Sequence, residues 1–219
     1  MSYILNIETA TKNCSVSIAK NGETILCKQI AEQGYTHAEK LHVFIEEILI
    51  ESKIAFKELN AIAVSQGPGS YTGLRIGVSA AKGLCYALEI PLIAVDTLTV
   101  LACQVKYLDG MIIPMIDARR MEVYSAIFNS EKVKIREVRA EILTPESYSS
   151  FSEKIYFVGD SSEKAKAILN KPNFYFLDNI IFPSANEMSA ISFAKFKKYI
   201  FEDVAYFEPY YLKDFLSAK

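Results

Sequence analysis

Two acids stand where strand chemistry would place them: Glu8 closes the apolar run "YILNI" and Asp117 closes "MIIPMI". An acid at the end of a buried strand, followed by a polar turn, can hold magnesium or act as a general base. The polar residues after the first acid, Thr9, Thr11 and Lys12, and those after the second, Arg119 and Arg120, could line such a site. The plainer expectation is that each acid accepts hydrogen bonds from its own turn, because no phosphate loop of a standard type supports catalysis.

The stretch that comes nearest to one is "SQGPGSYTGLRIGVSAAKG", Ser65 to Gly83. A strand ends at Gln66, the glycines and Pro68 turn the chain, and a helix starts near Ser70 or Thr72. A helix N-terminus attracts anions, yet the spacing matches neither G-x-x-x-x-G-K-[ST] nor G-x-G-x-x-G. A glycine-rich strand-to-helix turn is the expectation. The helix itself carries a stripe of very small residues, Gly73, Gly77, Ala80 and Ala81. Each interior glycine costs about 1 kcal/mol against alanine, so another element must approach closely. Two readings stay open: packing against the chain's own elements, or contact with a second chain.

A helix over 36–52 sharpens that choice. Thr36 to Glu39 fits a capping box, and Ala38, Leu41, Ile45, Ile48 and Leu49 form one core-facing stripe. Val43 and Ile50 lie a heptad apart on another side, so the helix is expected to be covered twice. His37 and His42 are five residues apart, about 140° around a helix at roughly 100° per residue, which does not suit one shared metal. There is no G-x-S-x-G elbow. The four cysteines (Cys14, Cys27, Cys85, Cys103) are scattered with no C-x-x-C pair, and read as reduced, mostly buried thiols.

These features need a frame to position them. The chain has 219 residues, 51% apolar and 23% charged, with net charge −2. Disorder is excluded, and the length suits one large domain or two small ones. No apolar run reaches the roughly 18 residues of a membrane span, and the opening "MSYILNIETA" resembles a strand rather than a leader. A cytoplasmic location with no membrane partner follows as an expectation. Residues 1–105 carry 8 basic and 10 acidic side chains and 106–219 carry 16 of each, so neither half is a basic nucleic-acid module.

The second half repeats the plan of the first: an apolar strand ending on an acid, a polar turn, a strand, a tight turn (Asn21-Gly22 or Asn129-Ser130) and another strand. Asn-Gly between strand-like runs is a strong hairpin signal. Helices are expected at 36–52, 54–59, 72–88 and 97–107, then 145–151, 161–169 and 185–201, with further strands at 61–66, 90–95, 155–159 and 174–178. The pattern predicts an α/β protein of two subdomains, 1–105 and 106–219, with mixed sheets flanked by helices. Such a duplication resembles the actin-like ATPase and sugar-kinase (ribonuclease H-like) superfold.

Four stretches carry a closer resemblance: "LNIETATKNCSVSI", "GPGSYTGLRIGVSAAKGL", "IDARRMEVYSAIF" and "FEPYYL". In order and spacing they resemble the bacterial TsaB (YeaZ-like) family over nearly the whole chain. The resemblance implies a non-catalytic subunit that pairs with a larger catalytic paralogue, TsaD, which transfers threonylcarbamoyl to N6 of the adenosine beside the tRNA anticodon. It also implies a small ATPase partner (TsaE), tRNA met only through the complex, and self-association when the subunit is alone. No cofactor is expected on the chain itself; ATP or ADP with magnesium would belong to the assembled complex. Glu8, Thr9, Lys12, Asp117, Arg119 and Arg120 become a vestigial nucleotide cleft, although the family usually has aspartate where this chain has Glu8. The partner face is expected on two helices of the first subdomain: His37, Leu41, Val43, Phe44, Glu47 and Ile50 on one, Gly73, Arg75, Gly77, Ala80, Ala81 and Leu84 on the other. The competing reading, from the paired acids, is a stand-alone ATP-dependent phosphotransferase or ATPase. A protease, an old label in this extended family, has no nucleophile or metal constellation here.

Overall fold

The run after Ser2 becomes β1 (Tyr3–Glu8), buried along all but its first residue. Apolar residues dominate it because it lies mid-sheet with elements on both faces. β2 (Cys14–Lys20) and β3 (Glu23–Ile30) fold back as antiparallel neighbours, and β4 (Leu59–Gly67) and β5 (Leu92–Asp96) add in parallel. The sheet order is β3-β2-β1-β4-β5. Between these strands lie α1 (His37–Ser52), a 3₁₀ turn (Phe56–Glu58) and α2 (Tyr71–Leu88). The computed structural model describes residues 1–31, 37–106 and 109–212, so Thr36 and the expected capping box lie outside the described residues.

The two faces of this sheet are chemically unlike. Leu5, Ile7, Val16 and Ile18 join Leu41, Ile45 and Ile48 of α1 and Val78, Ala81 and Cys85 of α2 in one apolar core. The alternate residues Asn6, Ser15 and Ser17 turn to the other face, as the two-residue period of a strand requires. There they meet α5 (Ala185–Lys197). Ser17 Oγ donates to the Ala185 carbonyl (2.7 Å), Ser192 Oγ to Asn6 Oδ1 (2.7 Å), and Ser15 Oγ accepts from Ala185 N (3.0 Å). Every one of these buried polar groups has a partner, which is the condition for tolerating them inside.

The second sheet repeats the first. After α3 (Thr97–Gln104) come β6 (Met111–Asp117), β7 (Glu122–Phe128), β8 (Lys134–Ile142), β9 (Ile155–Val158), α4 (Ser162–Lys166) and β10 (Phe174–Phe176). The order β8-β7-β6-β9-β10, with the same antiparallel and parallel neighbours, matches that of the first sheet strand for strand. The duplicated actin-like plan is the observed fold.

Four expectations need correction. The units are Met1–Thr97 with Pro183–Lys219, and Leu98–Phe182, not 1–105 and 106–219; α5 is built to cover the polar face of the first sheet and so returns the chain to it. The helix expected at 145–151 is a run of turns. Pro145 and three serines favour turns, Tyr148 has φ 62°, and its hydroxyl donates to Glu141 Oε1 at 2.5 Å. The helix expected at 54–59 shrinks to the 3₁₀ turn, and that at 161–169 to α4.

Candidate functional site

Glu8 ends β1 fully buried. Its Oε1 accepts from Ala10 N (2.7 Å) and Ser65 Oγ (2.9 Å), while Oε2 has no partner among the described residues. Burial pushes its pKa up to about 7, against the downward pull of the hydrogen bonds from Ala10, Ser65 and Thr9. The turn that follows is sealed by α2. Ser70 caps that helix, its Oγ accepting from Gly73 N at 3.2 Å, and Ser70 N donates to the Ala10 carbonyl at 2.7 Å. Thr9 Oγ1 donates to the Gly73 carbonyl at 2.8 Å. A Cβ at Gly73 would overlap the Thr9 carbonyl oxygen, and one at Gly77 would overlap Thr9 Oγ1. The small-residue stripe therefore serves the chain's own turn at Gly73 and Gly77; with Ala81 and Leu41, also fully enclosed, these four are core rather than partner face. A carboxylate with no exposed surface, beneath a helix seated on its turn, offers magnesium no open coordination position.

Asp117 ends β6 in the opposite condition. It is exposed, its Oδ1 accepts from Arg119 N (3.0 Å), and Lys164 Nζ pairs with the same oxygen. Lys164 also donates to the carbonyls of Arg120 (2.9 Å) and Glu122 (2.7 Å). Arg119 and Arg120 both adopt positive φ (68° and 52°) at an exposed tip. Both acids thus accept from their own turns, as expected from the sequence. Lys12 is exposed, and Thr9 is buried. Among the described residues no group of three His, Cys, Asp or Glu could hold a metal ion, and no disulfide joins any of the four cysteines.

The open feature of the first unit lies on the outer side of α1 and α2. A groove of about 820 Å³ runs between them, floored by Ile45, Ile76, Ala80 and Leu84 and bordered by Ala38, His42, Glu46, Phe56, Arg75 and Gly83. Of the residues expected at the partner face, Arg75, Ala80 and Leu84 line it. Val43 and Ile50 are exposed on α1, at 44% and 68%, but outside the groove lining. Phe44 packs against the core. His37 faces inward, its Nε2 donating to the Thr11 carbonyl at 2.7 Å. Glu47 pairs with Lys28 of β3 at 2.8 Å. The other lining residues, Ala38, His42, Ile45, Glu46, Phe56, Ile76, Ser79 and Gly83, were not in the expected partner face. For Gly83 the sequence held a signal, a glycine inside a helix at a cost of about 1 kcal/mol against alanine; an ideal Cβ there meets nothing within 4 Å, so nothing among the described residues asks for glycine.

Two sister sheets of one strand order, one acid sealed and the other tied to its own turn, define a protein of the duplicated actin-like class. A family model described as "TsaD: tRNA N6-adenosine threonylcarbamoyltransferase" matches residues 24–217. The tRNA threonylcarbamoyladenosine biosynthesis protein TsaB of Buchnera aphidicola subsp. Acyrthosiphon pisum is 36% identical over 191 residues, covering 81% of this chain and 85% of that one. TsaB of Bacillus subtilis is 33% identical over 135 residues, 62% of this chain; the match spans 58% of that relative's length. The solved structure of YeaZ from Pseudomonas aeruginosa superposes with a TM-score of 0.82 at 25% identity, over 97% of this chain and all of that one. The chain belongs to the TsaB family, a branch of the wider family that the model describes. Among the described residues no helix is long and apolar enough to cross a membrane.

Proposed function

We propose that the chain is the non-catalytic subunit of the complex that makes threonylcarbamoyladenosine in tRNA, and that it works by docking a TsaD-type catalytic paralogue in the α1/α2 groove. The observation that carries this reading is the pairing of an unusable acid with an open apolar groove. Glu8 is enclosed by its own turn and α2, while the neighbouring outer face of α1 and α2 leaves apolar side chains uncovered. Exposed apolar patches of this kind mark interaction sites more often than they mark chance. A paralogue is a fitting occupant, since a subunit descended from the same duplicated fold carries equivalent helices that can pair face to face. With net charge −2, the chain is expected to meet tRNA chiefly through its partner, and a TsaE-type ATPase would join the same assembly in the cytoplasm. In the absence of the paralogue the groove would pair with a second copy.

Gly83→Trp is the direct test, because a Cβ at this groove-lining position meets nothing within 4 Å, so the added bulk occupies the groove and not the core. The variant should keep its circular dichroism, fail to copurify with the paralogue and lose support of tRNA modification in a reconstituted assay. A folded Gly83→Trp that binds and supports modification like the unmodified chain would move the interface elsewhere.

A further inference from the structure

One charged side chain at the groove rim is seated on an aromatic ring. Arg75 is exposed on α2; the acid whose charge reaches its guanidinium is Glu208, with no close ion pair between them among the described residues. The guanidinium lies 4.5 Å from the centre of the Tyr71 ring. Tyr71 packs on Tyr211 with ring centres 4.9 Å apart, and the guanidinium faces the Tyr211 hydroxyl oxygen. Tyr211 reaches this place because the C-terminal segment is pinned along α2. Lys82 Nζ donates to the carbonyls of Ala205 and Phe207, both at 3.0 Å, and Tyr210 N donates to Gln66 O at 2.7 Å.

An arginine on an exposed helix face ordinarily samples many rotamers, and fixing it costs entropy. Here the fork is fixed in advance of any ion pair, beside an apolar floor. A pre-positioned guanidinium of this kind takes a carboxylate with two parallel hydrogen bonds. Glu46 stands on the α1 rim and Glu208 acts on Arg75 from the C-terminal segment; both would repel an occupant's acid, which leaves the Arg75 guanidinium as the place in the lining that can receive it. A Cβ at Gly83 would meet nothing within 4 Å, so the same lining is open there.

We propose that Arg75, clamped by Tyr71 and Tyr211, is the specificity anchor of the partner face, receiving a carboxylate from an apolar helix of the TsaD-type paralogue seated in the groove. The inference rests on the partner-face reading above and adds to it the residue that fixes partner choice and orientation.

The test is titration calorimetry of the full chain with the purified paralogue at low and high salt. Arg75→Ala should weaken binding about ten- to a hundredfold and flatten the salt dependence of Kd. Arg75→Lys should not restore it, because an ammonium neither stacks on Tyr71 nor forks onto a carboxylate. Tyr211→Phe keeps the ring and loses the hydroxyl, and should weaken binding about threefold. Arg75→Glu should be rescued by one Asp→Arg or Glu→Arg substitution on an apolar helix of the paralogue. If Arg75→Ala binds within twofold of the unmodified chain while Gly83→Trp does not bind, the groove stands and the anchor is overturned. If both bind normally, both are overturned.

Discussion

The turns after β1 and after β6 occupy the same place in two copies of one strand order, yet their environments are opposite. The first is closed: Thr9 and Ala10 are fully buried, α2 brings two glycines down on them, and Glu8 holds a carboxylate oxygen with no partner among the described residues. The second is open, its acid neutralised by Lys164 and two arginines standing at the tip. Duplication preserved the backbone plan and let the chemistry diverge. A side chain sealed under a helix contributes through packing and proton affinity. One at an exposed tip contributes little to stability, because water can replace each of its partners.

The contrast is sharpest in response to added volume. Gly73→Val places a branched side chain against the Thr9 carbonyl, and should cost about 3 kcal/mol or more in urea unfolding, the upper range of overpacking. A similar loss for Met121→Phe, which adds volume at an exposed residue of the second turn, would break the distinction between the turns.

A second effect, about as large, follows from Glu8. Its pKa of about 7 in the folded chain exceeds its ordinary value of 4.5, so folding favours the protonated acid. The stability it allows is complete below about pH 4.5 and is lost as pH rises through about 7. At about 1.4 kcal/mol for each pH unit of that window, the loss comes to about 3.5 kcal/mol. Glu8→Gln retains an acceptor for Ala10 N and Ser65 Oγ and should abolish this decline. Urea midpoints for both proteins at pH 5 and pH 8 check it; parallel pH profiles would mean that the carboxylate stays ionised in its enclosure. The same variant in a reconstituted complex should leave tRNA modification intact, whereas its loss would assign the acid a chemical role.

The smallest change is expected at Asp117→Asn, which weakens one ion pair at a half-exposed side chain and should shift stability by less than about 1 kcal/mol. A loss matching that of Gly73→Val would show the open turn to be as tightly bound into its unit as the closed one.

Much of this contrast was written in local sequence, and part was not. The acid-capped strands and the Asn21-Gly22 hairpin depend on neighbours a few residues apart, so pattern alone located them. The glycines of α2 are different. Gly73 and Gly77 signalled a close approach, but their partner, Thr9, lies 64 and 68 residues earlier, and composition could not say whether that partner belonged to this chain or another. Val43 and Ile50 are uncovered, as their spacing indicated, and lie outside the lining of the groove, to which α1 contributes Ala38, His42 and Ile45. The run 145–151 failed because helix formers such as Glu146 were outweighed by a long-range tie, Tyr148 to Glu141 and Ser125.

The return of residues 183–212 to the first sheet bears on how the chain is made. Unit two is contiguous and can complete its contacts as soon as residue 182 has emerged from the ribosome. Unit one cannot, because Asn6, Ser15 and Ser17 find partners on α5, and Gln66 and Lys82 on the segment after it. Domains usually mature in the order of synthesis; here the portion translated first finishes last. Until then one face of β1 and β2 carries hydroxyls and an amide without their helix. A stop codon after residue 182 would therefore do its damage at the beginning of the chain, leaving the later-made sheet intact.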